Sequence, residues 1–278
     1  MIDSKYLLRI IETALWEDVN TGDITTACTV PPGTRISGRF LAKEQGVLCG
    51  TEAVKAVFAY VDEGVQVNFH FQDGDTIQTG DVIAEIGGDA ASILTGERTA
   101  LNLMQHMSGI ATRTRAAVDL VKGCDVKILD TRKTTPGLRV LEKYAVRVGG
   151  GHNHRFSLAD GVLIKDNHIQ AANGIANAVG AARARAPFTL KIEVETETLE
   201  QVQEALDAEA DIIMLDNMTV ERMKEAVALI DRRAVVEASG NMAQRDLREV
   251  AATGVDCISI GDLTNHVHPL DISLKLQL

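Results

Sequence analysis

The second half of the chain repeats one short pattern, and this repeat limits the possible folds more than any other feature. Each repeat is a run of β-branched and apolar residues that ends in a polar residue or glycine and leads into a helix-like stretch. The runs are 126–130, 161–165, 190–195, 211–216, 234–239 and 257–261. Their ends lie 35, 30, 21, 23 and 22 residues apart, a spacing typical of βα units with buried parallel strands.

Units of this kind predict either a doubly wound open sheet or most of a parallel α/β barrel. An open sheet binds its ligand at one switch point, whereas a barrel binds it at the ends of several strands. Polar residues at strand ends also cap the helices that follow. Because every run ends in a residue that could bind a ligand, we favour the barrel. The residues expected around its mouth are Asp130, Lys165, Glu195, Asp216, Ser239 and Gly261.

The first part of the chain has a different sequence pattern. Residues 35–86 predict short strands separated by glycine turns, with a helix over 51–60. A long helical pattern over 97–122 is the expected place of the domain boundary. An amphipathic helix is predicted to end before Asn20, and its apolar face is Leu7, Leu8, Ile11, Ala14 and Leu15.

Charge is unevenly distributed along the chain. The 278 residues contain 28 Lys and Arg against 39 Asp and Glu, for a net charge of −11, and only 4% aromatic residues. These values argue against nucleic acid and membrane surfaces as partners, since both require a positive face. Residues 97–165, however, hold twelve Lys and Arg against six Asp and Glu. A basic segment in an acidic chain indicates a small anionic ligand.

The cysteines and the apolar runs indicate a cytoplasmic protein. No C-x-x-C motif is present, which argues against a zinc site and a disulfide framework. No run approaches the roughly 18 apolar residues that a membrane span requires, and the N-terminus lacks a signal pattern. We therefore expect a reduced protein with no membrane partner. The cysteines are Cys28, Cys49, Cys124 and Cys257.

Two basic motifs follow the long helical pattern. In the segment 130–137, Pro136 suits the first turn of a helix, and backbone donors there would form an anion site with Arg132 and Lys133. In the segment 149–155, consecutive glycines allow a tight turn that leads to His154 and Arg155. The alternative for the glycines is a helix end followed by a flexible loop.

Glu195 and Asp216 end consecutive predicted strands, so their carboxylates should lie side by side. Such a pair suits Mg²⁺, although a salt bridge to a neighbouring Lys or Arg fits the spacing equally well. The segments 239–241 and 260–262 follow the last two runs, where barrels commonly bind phosphate. The histidines without such context, expected to be structural or exposed, are His70, His106 and His268.

Several of these segments together resemble the quinolinate phosphoribosyltransferase family. The resemblance lies in 17–25, 97–102, 108–112, 130–137, 141–168, 215–217 and 237–241, and it covers nearly the whole chain. It implies an N-terminal α/β sandwich domain over 1–108, to which a tail over 268–278 returns. It also implies an incomplete α/β barrel over 109–267. The expected assembly is a homodimer or a higher oligomer.

The resemblance also implies residue roles. Arg98 would reach into the partner subunit's site, and Lys133, Lys165, Glu195 and Asp216 would be catalytic. Glu195 and Asp216 would face the ribose and Mg²⁺. The other substrate-binding residues would be Thr131, Arg132, His154, Arg155, Ser239, Gly240, Asn241, Ile260, Gly261 and Asp262. The family pattern has Ala at 262 and a basic residue or His near 265. Because Asp262 and Asn265 stand here, phosphate contacts in this loop are expected from the backbone.

The reaction implied by the resemblance belongs to de novo NAD biosynthesis. Quinolinate and 5-phosphoribosyl 1-pyrophosphate would give nicotinate mononucleotide, pyrophosphate and CO₂, with Mg²⁺ as the cofactor. One alternative is a related enzyme that acts on another acid. A second is a lyase in which Lys165 forms a Schiff base. A third is a carrier protein, because 71–84 resembles lipoyl or biotin carrier hairpins, although a modifiable lysine is absent there.

Overall fold

A computed structural model describes residues 2–277, which form two compact units. The second unit consists of 116–133 and 151–265, and the remainder forms the first. The predicted boundary at 108 differs from this division, because 109–115 and 134–150 lie in the first unit. The helix Ala90–Leu120 continues without a break through the predicted boundary. Within the first unit, Tyr144 donates a hydrogen bond of 2.9 Å to Asp73, which helps to hold 134–150 there.

The N-terminal helix spans Ser4–Val19, and the Asp3 side chain caps it by accepting from the Lys5 amide. Leu7, Ile11 and Leu15 are buried along one face. The predicted end before Asn20 is confirmed. The prediction that Leu8 belongs to the buried face is wrong. Leu8 is 51% exposed, at the edge of the apolar face and about 100° around the helix from Leu7.

An antiparallel sheet forms the centre of the first unit. Its order is Ile272–Gln277, Arg35–Ala42, Val82–Asp89 and Gln66–Phe69. The last strand of the chain therefore pairs with the first, with Leu276 opposite Gly38. The other strands and helices of this unit are Ile24–Thr29, Gly46–Val47, Thr51–Val61, Thr76–Ile77, Arg139–Val148 and most of Ala90–Leu120.

The second unit contains a parallel sheet in which every predicted run forms a strand. Its spatial order is Lys127–Leu129, Cys257–Ser259, Val235–Ser239, Ile212–Asp216, Ile192–Thr196 and Val162–Ile164. Lys127–Leu129 and Val162–Ile164 are thus edge strands, and no pairing joins them within the described residues. This arrangement confirms the predicted α/β fold with an incomplete barrel.

Helices alternate with these strands and pack against the sheet. Leu199–Asp207, for example, buries Val202, Ala205 and Leu206. The remaining helices of the unit are Asp166–Ala171, Ile175–Arg185, Val220–Ile230, Leu247–Ala251, Asp262–Asn265 and the 3₁₀ turn Met242–Gln244. None of the helices in the described part of the chain combines the length and apolarity needed to cross a membrane.

The predicted helix start at Pro136 is wrong. Residues 136–138 form a turn, closed by a hydrogen bond from the Leu138 amide to the Thr135 carbonyl. The helix begins at Arg139 and lies in the first unit. The glycine segment begins where this helix ends, at Val148, as the alternative of a helix end predicted. A Cβ at Gly149 would lie 2.5 Å from the Ala111 carbonyl oxygen, so glycine allows the backbone to approach closely there.

Candidate active site

A cavity of about 450 Å³ opens at the carboxyl ends of the parallel strands in the second unit. Apart from Arg98 and Asp130, every predicted site residue lines it: Thr131, Arg132, Lys133, His154, Arg155, Lys165, Glu195, Asp216, Ser239, Gly240, Asn241, Ile260, Gly261 and Asp262. The parallel register explains this convergence, since Ser239 lies beside Asp216 and each adjoining strand ends at the same edge.

Two predicted residues lie elsewhere. Arg98 belongs to the first unit, where it is exposed on the helix Ala90–Leu120. Asp130 was expected at the barrel mouth, and that prediction is wrong because its side chain is fully buried. Its carboxylate accepts hydrogen bonds from the Asn153 side chain at 2.5 Å and from the His154 amide at 2.9 Å. Asp130 therefore supports the segment that carries His154.

Cationic side chains occupy one part of the cavity wall. Arg132 and Lys133 are exposed, and Lys165 is about half exposed. Arg155 donates a hydrogen bond of 2.9 Å to the Gly161 carbonyl. Burial and the positive charge of Arg132 lower the pKa of the Arg155 guanidinium. Arg132 lowers this pKa because the two guanidinium groups repel each other, and an anionic ligand would relieve the repulsion.

The backbone around Lys133 is closely fitted to the turn after the last parallel strand. Thr264 is buried, and its hydroxyl donates a hydrogen bond of 2.7 Å to the Lys133 carbonyl. A Cβ at Gly261 would lie 2.8 Å from Cδ of Lys133. Glycine at 261 therefore leaves room for the lysine chain to pass.

The two predicted carboxylates have different partners. Glu195 accepts a hydrogen bond from Lys165 Nζ, so the salt bridge that the spacing left open is present for this residue. Asp216 accepts a hydrogen bond of 2.7 Å from the Asn217 side-chain amide, which is neutral. Both carboxylates line the cavity and supply the hard oxygen atoms that Mg²⁺ prefers. This donor set fits a magnesium ion held together with substrate phosphates.

A buried ion group lies deeper in the second unit. His154 Nε2 is 3.1 Å from Glu193 Oε2 and 3.5 Å from Glu237 Oε2. Burial lowers the pKa of His154, but the hydrogen bonds and charges of the two carboxylates outweigh it and raise the pKa to about 10. Burial raises the pKa of Glu193. The second oxygen of each glutamate, Oε1, is buried without a hydrogen-bond partner among the described residues.

The ligand atoms of His154, Glu193 and Glu237 lie within 4.8 Å of one another, close enough for a metal ion. This group differs in chemistry from the predicted pair Glu195 and Asp216. It contains an imidazole and is buried, whereas Mg²⁺ favours oxygen ligands and keeps several waters. A proton on the imidazole also competes with a metal.

Sequence reasoning missed both buried glutamates. A signal for them exists, because side chains two residues apart on a strand point to the same face. Glu193 precedes Glu195 by two residues, and Glu237 likewise precedes Ser239. Of the two glutamates, Glu237 lines the cavity. The further lining residues that were not predicted are Leu163, Met214, Asn217, Met242, Ala243 and Ser259.

The fold and the cavity together define an α/β-barrel enzyme whose site is built for small anionic substrates. The family model "Quinolinate phosphoribosyl transferase, C-terminal domain" matches residues 110–275, and the corresponding N-terminal domain model matches 23–108. The chain belongs to the quinolinate phosphoribosyltransferase family.

Relatives of known sequence and structure agree with this assignment. The "probable nicotinate-nucleotide pyrophosphorylase [carboxylating]" of Bacillus subtilis is 46% identical over 98% of this chain and 94% of its own. The Mycobacterium leprae nicotinate-nucleotide pyrophosphorylase is 46% identical over 96% and 95%. The solved structure of the nicotinate-nucleotide pyrophosphorylase from Francisella tularensis has a TM-score of 0.95 and 39% identity, covering 100% of this chain and 98% of that one.

Proposed function

We propose that this protein transfers the phosphoribosyl group of 5-phosphoribosyl 1-pyrophosphate to quinolinate, with decarboxylation, giving nicotinate mononucleotide, pyrophosphate and CO₂. The observation that carries the proposal is a single cavity that combines cationic side chains with the carboxylates of Glu195 and Asp216. A dicarboxylate and a polyphosphate require the cations, and a developing positive charge on the ribose requires the anions. Relatives named quinolinate phosphoribosyltransferase [decarboxylating] support it.

The cationic residues bind the two anionic substrates in this proposal. Arg132, His154 and Arg155 hold the pyridine carboxylates, and Lys133 and Lys165 bind carboxylate or phosphate oxygens. Thr131 lies at the start of the same segment and contributes through its hydroxyl, which accepts from the Lys133 amide at 3.0 Å. Repulsion between the guanidinium groups of Arg132 and Arg155 disfavours the empty site, so binding of an anion is favoured.

Glu195 and Asp216 would hold Mg²⁺ together with the phosphate oxygens of the ribosyl donor. Bound Mg²⁺ would neutralise the charge that develops on the pyrophosphate leaving group. The backbone amides of 239–241 and 260–262 would hold phosphate, with no side-chain contact from Asp262. Asn265 is exposed and has no assigned role.

The chemistry proceeds by positioning and electrostatics. The ring nitrogen of quinolinate attacks C1 of the ribose, and the bond from C1 to the pyrophosphate oxygen breaks with its electron pair on pyrophosphate. Positive charge on the ribose is stabilised by Glu195 or Asp216. The bond between C2 of the pyridine ring and its carboxylate then breaks. CO₂ leaves, and the electron pair stays on C2 beside the cationic ring nitrogen. C2 finally takes a proton from Lys133, Lys165 or water.

The proposal includes a homodimer or higher oligomer in which Arg98 completes the partner subunit's site. Arg98 is exposed in the first unit, as such a role requires. We expect Arg98→Ala and Lys133→Ala to be inactive separately. Mixing them should restore part of the activity after subunit exchange, because some sites then receive both wild-type residues. No recovery in mixtures shown to have exchanged would contradict the shared site.

The proposal also includes the limits of the two domains and the cellular compartment of the reaction. We propose an N-terminal domain over 1–108 with the tail 268–278 and a catalytic domain over 109–267. The two family models, which match 23–108 and 110–275, support a limit near 108, although 109–115 and 134–150 belong to the first compact unit. The reaction takes place in the cytoplasm. The acidic chain with free cysteines supports this location.

Release of CO₂ from quinolinate is the direct test. Purified protein with Mg²⁺ and 5-phosphoribosyl 1-pyrophosphate should release one CO₂ for each nicotinate mononucleotide formed. Absence of release, with turnover of another nitrogenous acid from a substrate panel, would instead support a related enzyme. Trapping of a carbonyl substrate on Lys165 by borohydride would support a Schiff-base lyase. The salt bridge between Lys165 and Glu195 argues against that lyase, because the amine is already engaged by the carboxylate.

A further inference from the structure

We propose that Asn217 is a positioning residue that joins the Asp216 carboxylate to the Gly240–Asn241 turn. The inference rests on the proposed function, since it concerns the end of the cavity assigned to the ribosyl donor. Asn217 lines the cavity and follows directly after the strand Ile212–Asp216.

The Asn217 amide uses both of its ends within the protein. Its Nδ2 donates a hydrogen bond of 2.7 Å to Asp216 Oδ2. Its Oδ1 accepts a hydrogen bond of 3.2 Å from Asn241 Nδ2. The Asn217 backbone N–H also donates to the Ser239 carbonyl at 3.0 Å. Among side chains of this size, only an amide supplies a donor and an acceptor in this arrangement.

The backbone around Asn217 is built for this contact. Asn217 and Asn241 have φ values of 54° and 52°, in the left-handed region where asparagine is one of the few tolerated residues. Gly240 has a φ of 92°, and a Cβ there would lie 2.3 Å from Asn217 Oδ1 and 2.7 Å from its backbone nitrogen. The glycine at 240 therefore accommodates the Asn217 side chain, which is a separate reason for its presence in the site.

The chemical consequence follows from a contrast with Glu195. Glu195 is held by the cationic Lys165, which compensates its charge, whereas Asp216 is held by a neutral amide. Asn217 thus orients the Asp216 carboxylate without neutralising it. A carboxylate that keeps its charge is the stronger ligand for a cation, either a metal ion or a ribosyl carbon that becomes positive. The link to Asn241 keeps the phosphate-binding turn in register with that carboxylate.

Asn217→Gly tests the role, because glycine tolerates the left-handed backbone but removes the amide. Calorimetry should show that the variant binds magnesium pyrophosphate about tenfold more weakly than wild type, as expected for one lost hydrogen bond to a charged group. In steady-state kinetics, the KM for the ribosyl donor should rise by a similar factor, and the KM for quinolinate should change by less than about twofold. A general loss of structure would not separate the two substrates.

Asn173→Gly is the matched control. Asn173 is also a left-handed asparagine, with φ of 57°, and it is exposed and does not line the cavity. Both variants should melt within a few degrees of each other, but only Asn217→Gly should weaken magnesium pyrophosphate binding. Equal binding by the two variants would overturn the inference.

Asn217→Asp keeps the test decisive if the glycine variant is poorly folded. Aspartate tolerates the same backbone and keeps the acceptor for Asn241, but it cannot donate to Asp216. An unchanged KM for the ribosyl donor in this variant would overturn the inference. If wild-type protein releases no CO₂, the proposed function fails. If wild type is active and the Asn217 variants match it, only the role of Asn217 fails.

Discussion

The rim and the floor of the cavity carry charge in different ways. The rim consists of Arg132, Lys133 and Lys165, whose side chains are exposed or half exposed. The floor consists of His154, Glu193 and Glu237, whose side chains are only 13%, 5% and 3% exposed. The rim places its cations in contact with solvent, whereas the floor pairs opposite charges inside the protein.

This difference separates binding from stability. Removal of one partner from a buried ion group leaves an uncompensated charge, at a cost of about 3–5 kcal/mol. Removal of an exposed cation costs the fold little, because water solvates that cation in the folded and unfolded states alike. We therefore expect rim variants to lose activity with little loss of stability. Floor variants should lose stability, and those at His154 should lose activity as well, because His154 also lines the cavity.

The largest expected effect belongs to the rim. Lys133→Ala should lower kcat/KM by on the order of 10³, because a cation next to the reacting phosphate or carboxylate groups is lost. Its free energy of unfolding, measured in urea, should stay within about 0.5 kcal/mol of wild type. A rim variant that loses activity and stability together would contradict the distinction between the two regions.

Substitutions in the floor should instead lower the free energy of unfolding. His154→Gln should lower the free energy of unfolding by about 3 kcal/mol, since Glu193 and Glu237 would then face each other without the imidazole. The triple variant that also carries Glu193→Gln and Glu237→Gln should recover most of this loss, as no buried charge remains. Urea unfolding of the three proteins measures both effects, and a triple variant as unstable as the single one would refute the explanation.

The pH dependence of stability should sharpen the comparison. Burial lowers the pKa of His154, but Glu193 and Glu237 raise it overall from 6.5 to about 10. The folded protein therefore keeps this proton at pH values where the unfolded chain has lost it. The stabilisation is fully present below pH 6.5 and is lost as the pH rises through about 10. Urea unfolding between these limits should show a steeper decline for wild type than for His154→Gln.

We expect the smallest effect from Thr264, whose hydroxyl holds the backbone of the rim residue Lys133. Thr264→Val removes the hydrogen bond from the buried hydroxyl to the Lys133 carbonyl and should lower the free energy of unfolding by about 1–2 kcal/mol. A decrease in kcat/KM of about threefold to tenfold should accompany it, because the Lys133 backbone becomes less well positioned. Thr264→Ser retains the hydroxyl and serves as the control. Equal losses in both variants would point to packing instead.

Much of the fold could be predicted from local pattern. The apolar runs that end at Glu195 and Asp216 form the strands Ile192–Thr196 and Ile212–Asp216, as expected. Burial on both faces of a parallel sheet imposes such runs directly on the sequence. The start of the helix at Arg139 could not be found in this way. Pro136 is compatible with both a first helical turn and the β-turn that it occupies, and the choice depends on packing within the first unit.

The sequence by itself determined the order of strands and helices, the basic character of 97–165, and the side chains that could bind an anionic substrate. Only the tertiary structure decided which charges compensate one another. It paired Lys165 with Glu195, placed His154 between Glu193 and Glu237, buried Asp130, and gave Asp216 a neutral partner in Asn217. The physical reason is that strand patterns reflect burial, which acts on each residue locally. Charge compensation depends on distances between residues far apart in the chain, and folding alone sets those distances.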